Sequence, residues 1–174
     1  MCVTTVPASA GEALGMLEAA LGFLADMDAA GMPTQAAAEC LQGLERADAI
    51  EAAARGQLLA AFDAQDGSVA DGQRTARTWL VHVTQVTRGQ AAEHKAVQAL
   101  AEGHRRLLAG LRGQALTKSV ALQLAKWTAA MPEAFREQAE EILVAAARGG
   151  VDLRGLAAIC AEIRWVSFCI MMDV

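Results

Sequence analysis

Alanine dominates this chain to a degree that restricts the folds open to it. It supplies 40 of the 174 residues, tyrosine is absent, and only three prolines interrupt the sequence. Alanine is the best helix former, whereas the β-branched and aromatic residues that favour strands are sparse here. We therefore predict an all-α fold, in which the few large apolar side chains supply most of the stability.

The first part of the chain predicts a long helical hairpin. A helix over 9–30 has leucines at spacings of three and four along one face, and the Gly31-Met32-Pro33 sequence ends it. Thr34 then caps a second helix that we expect to run to about Phe62. The apolar line expected on that helix consists of Cys40, Leu44, Ala47, Ala54, Leu58 and Ala61. So long a helix favours packing against the first helix, or self-association of the 34–62 helix with a copy of itself.

Shorter helices are predicted after a loop over 63–72. One covers 74–83, with Trp79 and Leu80 as its apolar anchors, and Thr87 and Gln90 have capping-box spacing at the start of the next, which runs to about 101. These two helices have the lengths of a helix-turn-helix pair. Further helices are expected over 104–111, from a Thr117 cap, over 132–148, and over 153–164 from an Asp152 cap. The predicted architecture is a multi-helix bundle: a long hairpin followed by short helices.

Charge is distributed unevenly along the chain. Residues 73–126 carry nine Lys or Arg against two acids, a balance of +7, whereas residues 1–72 balance to −9 and residues 127–174 to −3. A basic segment between acidic flanks suggests either an anionic partner or an acidic partner within the same assembly. For double-stranded DNA, the candidate contacts are Arg74, Arg77, Arg88, Lys95, Arg105 and Arg106. Such residues would contact phosphate and supply affinity rather than sequence choice.

The sequence holds no recognisable catalytic motif. Its three histidines (His82, His94 and His104) form no H-x-x-x-H pair, and the chain contains no asparagine. We expect these histidines on the surface or on helix faces, and Glu140-Glu141 on a solvated face. The prediction is therefore a non-enzyme without catalytic residues, metal or cofactor.

Cysteine spacing and hydropathy bear on location. The four cysteines (Cys2, Cys40, Cys160 and Cys169) form no C-x-x-C pair, so free thiols in a reducing compartment are expected. The first residues have no basic cluster before an apolar stretch, and no run of about 18 apolar residues exists. We expect a cytoplasmic protein that does not associate with membranes.

Several short sequence words occur in a fixed order along the chain. They are QDG at 65–67, TARTWL at 75–80, VTRGQAA at 86–92, WT at 127–128, MPE at 131–133 and EEILVAAA at 140–147. In these words the chain resembles the amino-terminal region of the domain of unknown function 222, the 13E12-repeat family, over about 36–163. Many members carry an HNH endonuclease motif near their carboxyl end. Members often have a glycine in the turn that is Thr84-Gln85-Val86 here.

The resemblance implies a non-catalytic helical module of an HNH-endonuclease-type protein that lacks its nuclease region. It divides the chain into an amino-terminal helix and linker (1–33), a family-like helical domain (34–164) and a divergent apolar tail (165–174) typical of a truncation or frameshift. Positioning on DNA through the basic helices is one expected role. The alternatives are a protein–protein assembly module and a degenerate fragment without present function.

Overall fold

The computed structural model describes residues 6–172, except the side chain of residue 171, and every regular element within that range is helical. The expected free thiol of Cys2 and the last two tail residues lie outside it. The helices are α1 (Ala10–Asp26), α2 (Thr34–Ala64), α3 (Gly67–Ala70), α4 (Ala76–Val83), α5 (Arg88–Gly103), α6 (Arg105–Arg112), α7 (Lys118–Thr128), α8 (Glu133–Arg148) and α9 (Leu153–Met172), with a 3₁₀ turn at Ala29–Gly31. The all-α prediction is confirmed. Across residues 6–172, no helix combines the length and hydropathy that a bilayer crossing requires.

The chain forms two compact units, residues 1–42 and residues 43–174, with the boundary inside α2. In the first unit α1 begins at Ser9, whose hydroxyl accepts from the backbone N–H of Glu12 at 3.1 Å. No residue of α1 is buried, and Leu14 on the predicted packing face is 57 % exposed. The leucine stripe of the expected hairpin therefore contributes no core.

The second unit contains the hydrophobic core. Large side chains from α5 to α9 are almost completely excluded from solvent: Leu100, Leu107, Leu111, Leu124, Leu143 and Leu156. Within this unit α6 is central, since it packs against α5, α7 and α8. Each fully buried leucine contributes about 1.5–3 kcal/mol of transfer free energy, so this leucine cluster is the main source of stability.

A smaller cluster joins the end of α2 to α4 and α5. Leu59, Leu80 and Ala91 are buried in it, and the rings of Phe62 and Trp79 stack at a centroid distance of 4.5 Å with a 46° tilt. The indole N–H of Trp79 donates to Asp71 at 2.6 Å. This cluster holds α4 and α5, the helix-turn-helix-like pair, against the end of α2.

The buried face of α2 is not the face that the sequence predicted. Leu44 and Leu58 are 39 % and 68 % exposed, and the buried positions are Ala49, Ala52, Ala53, Gly56 and Leu59. The reason is close backbone packing: a Cβ at Gly56 would lie only 2.7 Å from the carbonyl oxygen of Val97 on α5. Small residues allow that approach, so α2 packs through them together with Leu59 and leaves Leu44 and Leu58 exposed.

Two predicted boundaries were wrong. The loop expected over 63–72 is partly helical, because α2 continues to Ala64 and α3 adds one turn. The last helix does not end near Arg164 but continues to Met172, so most of the predicted tail belongs to α9. No glycine or proline follows Arg164 to stop the helix. One side of the extended helix is buried against the rest of the unit, since Ser167 is 3 % exposed.

The turn between α4 and α5 uses an unusual backbone conformation. Gln85 has φ 57°, in the left-handed region that glycine occupies without steric cost. The chain therefore makes a glycine-type turn with a glutamine.

Candidate nucleic-acid interface

The α4–α5 pair forms with local capping at both helix starts. Thr75 and Thr78 make a reciprocal capping box at the start of α4. The Thr87 hydroxyl accepts from the backbone N–H of Gln90 at 3.1 Å, as predicted, although the reciprocal bond from the Gln90 side chain is not among the hydrogen bonds of the described residues. The two helices pack through Leu80 and Ala91.

Five of the six predicted DNA-contacting residues are exposed, and four of these five form no ion pair within residues 6–172. Arg74 precedes α4, Arg77 lies in its first turn, Arg88 begins α5 and Arg105 begins α6. Across residues 6–172, none of the four forms an ion pair. They are the basic side chains of this set that remain available to an anionic partner.

The other two predicted residues, Lys95 and Arg106, pair with carboxylates of the same unit, and Arg106 does so at the surface. Lys95 Nζ lies 2.8 Å from Asp63 Oδ2, and Arg106 contacts Glu137 at 3.1 Å and Glu141 at 3.4 Å. The structure therefore does not bring the six residues together as one free basic surface. The sequence did not reveal these pairs because their members lie 31 to 35 residues apart. No local sequence pattern connects residues at that separation.

Acidic residues of α2 neutralise part of the basic segment. Lys118 Nζ lies 3.0 Å from Asp48 and 3.1 Å from Glu93. Burial alone would lower the pKa of Lys118, but hydrogen bonds to these two carboxylates outweigh it and raise the pKa above its usual value. Hydrogen bonds from Gln98 and then Lys95 hold the pKa of Asp63 below its usual value. Some basic side chains of residues 73–126 are therefore neutralised by acidic side chains of the same unit.

His82 and His94 lie on helices, as expected, but His94 is on the buried side of α5. His82 is exposed, but His94 is 9 % exposed, and burial, followed by the nearby Arg55 charge, lowers its pKa. His104 Nδ1 lies 2.5 Å from Glu140 Oε1, and the Thr128 hydroxyl lies 3.1 Å from the same oxygen.

Glu140 was wrongly expected on a solvated face, since it is only 2 % exposed. Glu141 does face solvent, with 62 % of its side chain exposed. A sequence signal for the difference existed: Glu140 precedes Leu143 and Val144 by three and four residues, which puts it on the apolar face of α8. Burial of this carboxylate is stabilised by the His104 and Thr128 contacts.

His104 also lines an open groove of about 720 Å³ between α5 and α7. Its other polar lining residues include Lys118, Ser119 and Lys126, and its walls are mainly alanine and leucine. Ser119 Oγ lies 3.1 Å from Thr117 Oγ1, and no hydrogen bond joins it to His104 within residues 6–172. The described side chains include no group of three His, Cys, Asp or Glu that could hold a metal ion. The groove therefore contains a histidine held by Glu140 and a serine hydroxyl that makes no hydrogen bond to it within residues 6–172.

The fold defines the chain as an all-α, multi-helix protein with a partly neutralised basic surface. The chain matches no protein-family model, no curated protein and no solved structure. Membership of the 13E12-repeat family therefore stays an expectation from the sequence words.

Proposed function

We propose that this chain is a non-catalytic helical module that acts by assembling with other protein chains. The observation that supports this function is the number of large apolar side chains left in solvent. Phe23 of α1 is 71 % exposed, Leu41 and Leu58 of α2 are 65 % and 68 % exposed, and Trp165 of α9 is 70 % exposed. Apolar patches of this kind are typical of protein–protein contact surfaces.

The charge arrangement supports the same proposal. Lys95, Arg106 and Lys118 are engaged with carboxylates of the same unit, which lowers the positive charge offered to nucleic acid. In this proposal, the module corresponds to the amino-terminal part of an HNH-endonuclease-type protein, as the family resemblance implies.

Analytical ultracentrifugation of the full chain tests the assembly function. We expect concentration-dependent self-association that persists at high salt, because apolar contacts are not screened. A folded chain that stays monomeric from micromolar to near-millimolar concentration, and that captures no second protein, would contradict the proposal.

Positioning on double-stranded DNA is the second candidate function, and exposed arginines favour it. Arg74, Arg77, Arg88 and Arg105 have no ion pair in the part of the chain that the structure describes. Backbone contacts by such residues give binding that weakens steeply with salt.

Fluorescence anisotropy of a labelled duplex tests this second candidate. We expect Arg88→Glu with Arg105→Glu to weaken binding and to lower the slope of log K against log salt by about two, one for each lost phosphate contact. Arg154→Glu, an exposed arginine on α9 outside the basic segment, is the matched control and should change binding little. Absence of binding at low salt, from a folded sample, would remove this candidate.

A further inference from the structure

The end of α9 is apolar on nearly every side. Residues 165–172 contain no charged side chain. Five large apolar side chains among them are exposed: Trp165 at 70 %, Val166 at 54 %, Phe168 at 59 %, Ile170 at 48 % and Met172 at 70 %. A helix that is apolar all round is normally buried all round. Here Ser167, at 3 % exposure, marks the one side that the protein itself covers.

This segment forms a ridge between two mainly apolar grooves, of which one also contains Glu162 and the other Arg164. A groove of about 410 Å³ lies on one side, where Phe135 and Ile142 of α8 face Val166 and Ile170 of α9. A second groove of about 520 Å³ is lined by Ala130, Met131 and Pro132 together with Trp165 and Phe168. We call residues 165–172 with these two grooves the α9 ridge surface.

We propose that the α9 ridge surface docks against the same surface of a second copy of this chain. A two-fold interface uses one patch on both subunits, so that patch must contain both protrusions and recesses that fit them. The α9 ridge surface has both, and the packing of helix ridges into grooves is the usual geometry between helices. The proposal rests on the proposed assembly function and specifies its contact surface.

The exposed area reaches the lower limit of what a dimer contact requires. A large aromatic side chain buries about 150–250 Å² when fully covered, so the five exposed side chains offer on the order of 500 Å² per copy. Two copies would therefore bury on the order of 1,000 Å² in total through the ridges alone, which is the lower limit for a specific interface.

The exposed face of α2 is a weaker candidate for the same contact. Leu41, Leu44 and Leu58 are exposed there, but Glu45 and Arg46 lie beside them and are exposed as well. Charged residues are depleted at the centre of protein interfaces, because their desolvation is costly. The eight ridge residues carry no charge, and the charged residues of the α9 ridge surface, Glu162 and Arg164, lie in the groove walls beside the ridge.

Sedimentation equilibrium of the full chain tests the proposal with three variants. Trp165→Glu and Phe168→Glu change the α9 ridge surface, and Leu58→Glu, at 68 % exposure, is the matched control on α2. We expect a dimer for the unmodified chain and a loss of dimer affinity of roughly 30-fold or more for each α9 variant. Leu58→Glu should leave the affinity within about three-fold.

The outcomes distinguish an error in the assigned contact surface from a failure of the proposed assembly function. If Leu58→Glu abolishes the dimer while both α9 variants retain it, the surface assigned to α9 is wrong and assembly stands. If the unmodified chain is a monomer, or forms an oligomer that all three variants retain, the α9 contact is overturned. Circular dichroism checks that each variant is folded, and Trp165→Ala and Phe168→Ala replace any glutamate variant that loses helicity.

Discussion

Because α2 and α5 approach each other closely, we expect glycine-to-alanine substitutions at two positions of α2 to change the free energy of unfolding in opposite directions. Gly43 and Gly56 both lie inside α2. A Cβ at Gly56 would lie 2.7 Å from the carbonyl oxygen of Val97 and 3.1 Å from its Cγ1. At Gly43 the nearest atom would be Arg46 Nη2, at an ordinary contact distance of 3.8 Å.

The magnitudes follow from two competing terms. Replacing a helical glycine with alanine favours the helix by about 1 kcal/mol. Overpacking costs about 1–3 kcal/mol, and we expect the upper part of that range at Gly56 because the obstacle is backbone that cannot rotate away. Gly56→Ala should therefore lower the free energy of unfolding by about 1–2 kcal/mol, whereas Gly43→Ala should raise it by up to about 1 kcal/mol.

Urea denaturation followed by circular dichroism measures both variants against the unmodified chain. The difference between the two free energies of unfolding should be about 2–3 kcal/mol, which is well above the error of the method when the slopes agree. If Gly56→Ala stabilises the protein as much as Gly43→Ala does, then α2 and α5 do not approach each other as described, and the account of why α2 buries its small residues fails.

Three further predictions concern the buried carboxylate, pH and the turn. Glu140→Ala should cost about 1–3 kcal/mol, because it leaves His104 without its partner, whereas Glu141→Ala should stay within about 0.5 kcal/mol in the same urea assay. Burial lowers the pKa of His94 below its usual value of 6.5, so the unfolded chain takes up more protons and stability falls as the pH drops below 6.5. His94→Gln should reduce that slope between pH 7.5 and 5.5, and an unchanged slope would refute the assignment. Gln85→Gly should raise the melting temperature by a few degrees, because glycine relieves the left-handed strain of about 1 kcal/mol; a lower melting temperature would contradict this.

Local chemistry explains why most helix starts could be predicted from the sequence. Thr87, Thr117 and Asp152 each accept a backbone N–H at the start of a helix, as predicted. Such a cap needs only residues two or three positions away, so its signal is contained in a short stretch of sequence. The existence of the helices and the all-α fold followed from the same short-range information together with the alanine content.

The candidate DNA surface was only partly predictable. The charge pattern selected Arg88 and Arg105, which form no ion pair within residues 6–172, together with Lys95 and Arg106, which pair with carboxylates. Which lysines and arginines meet a carboxylate depends on helices that are distant in sequence. Counting charges along the chain cannot separate a free basic side chain from one that is paired within the fold.

The sequence by itself determined that this protein is helical and where most of its helices begin, because propensity and capping act over one or two turns. Only the tertiary structure decided which faces are buried. Gly56 is inside and Leu58 outside because α5 approaches α2 too closely for a side chain at position 56. Glu140 is inside because His104, 36 residues away, meets its carboxylate. Burial depends on the approach of distant segments, and that approach is set by the packing of the whole unit rather than by any local pattern.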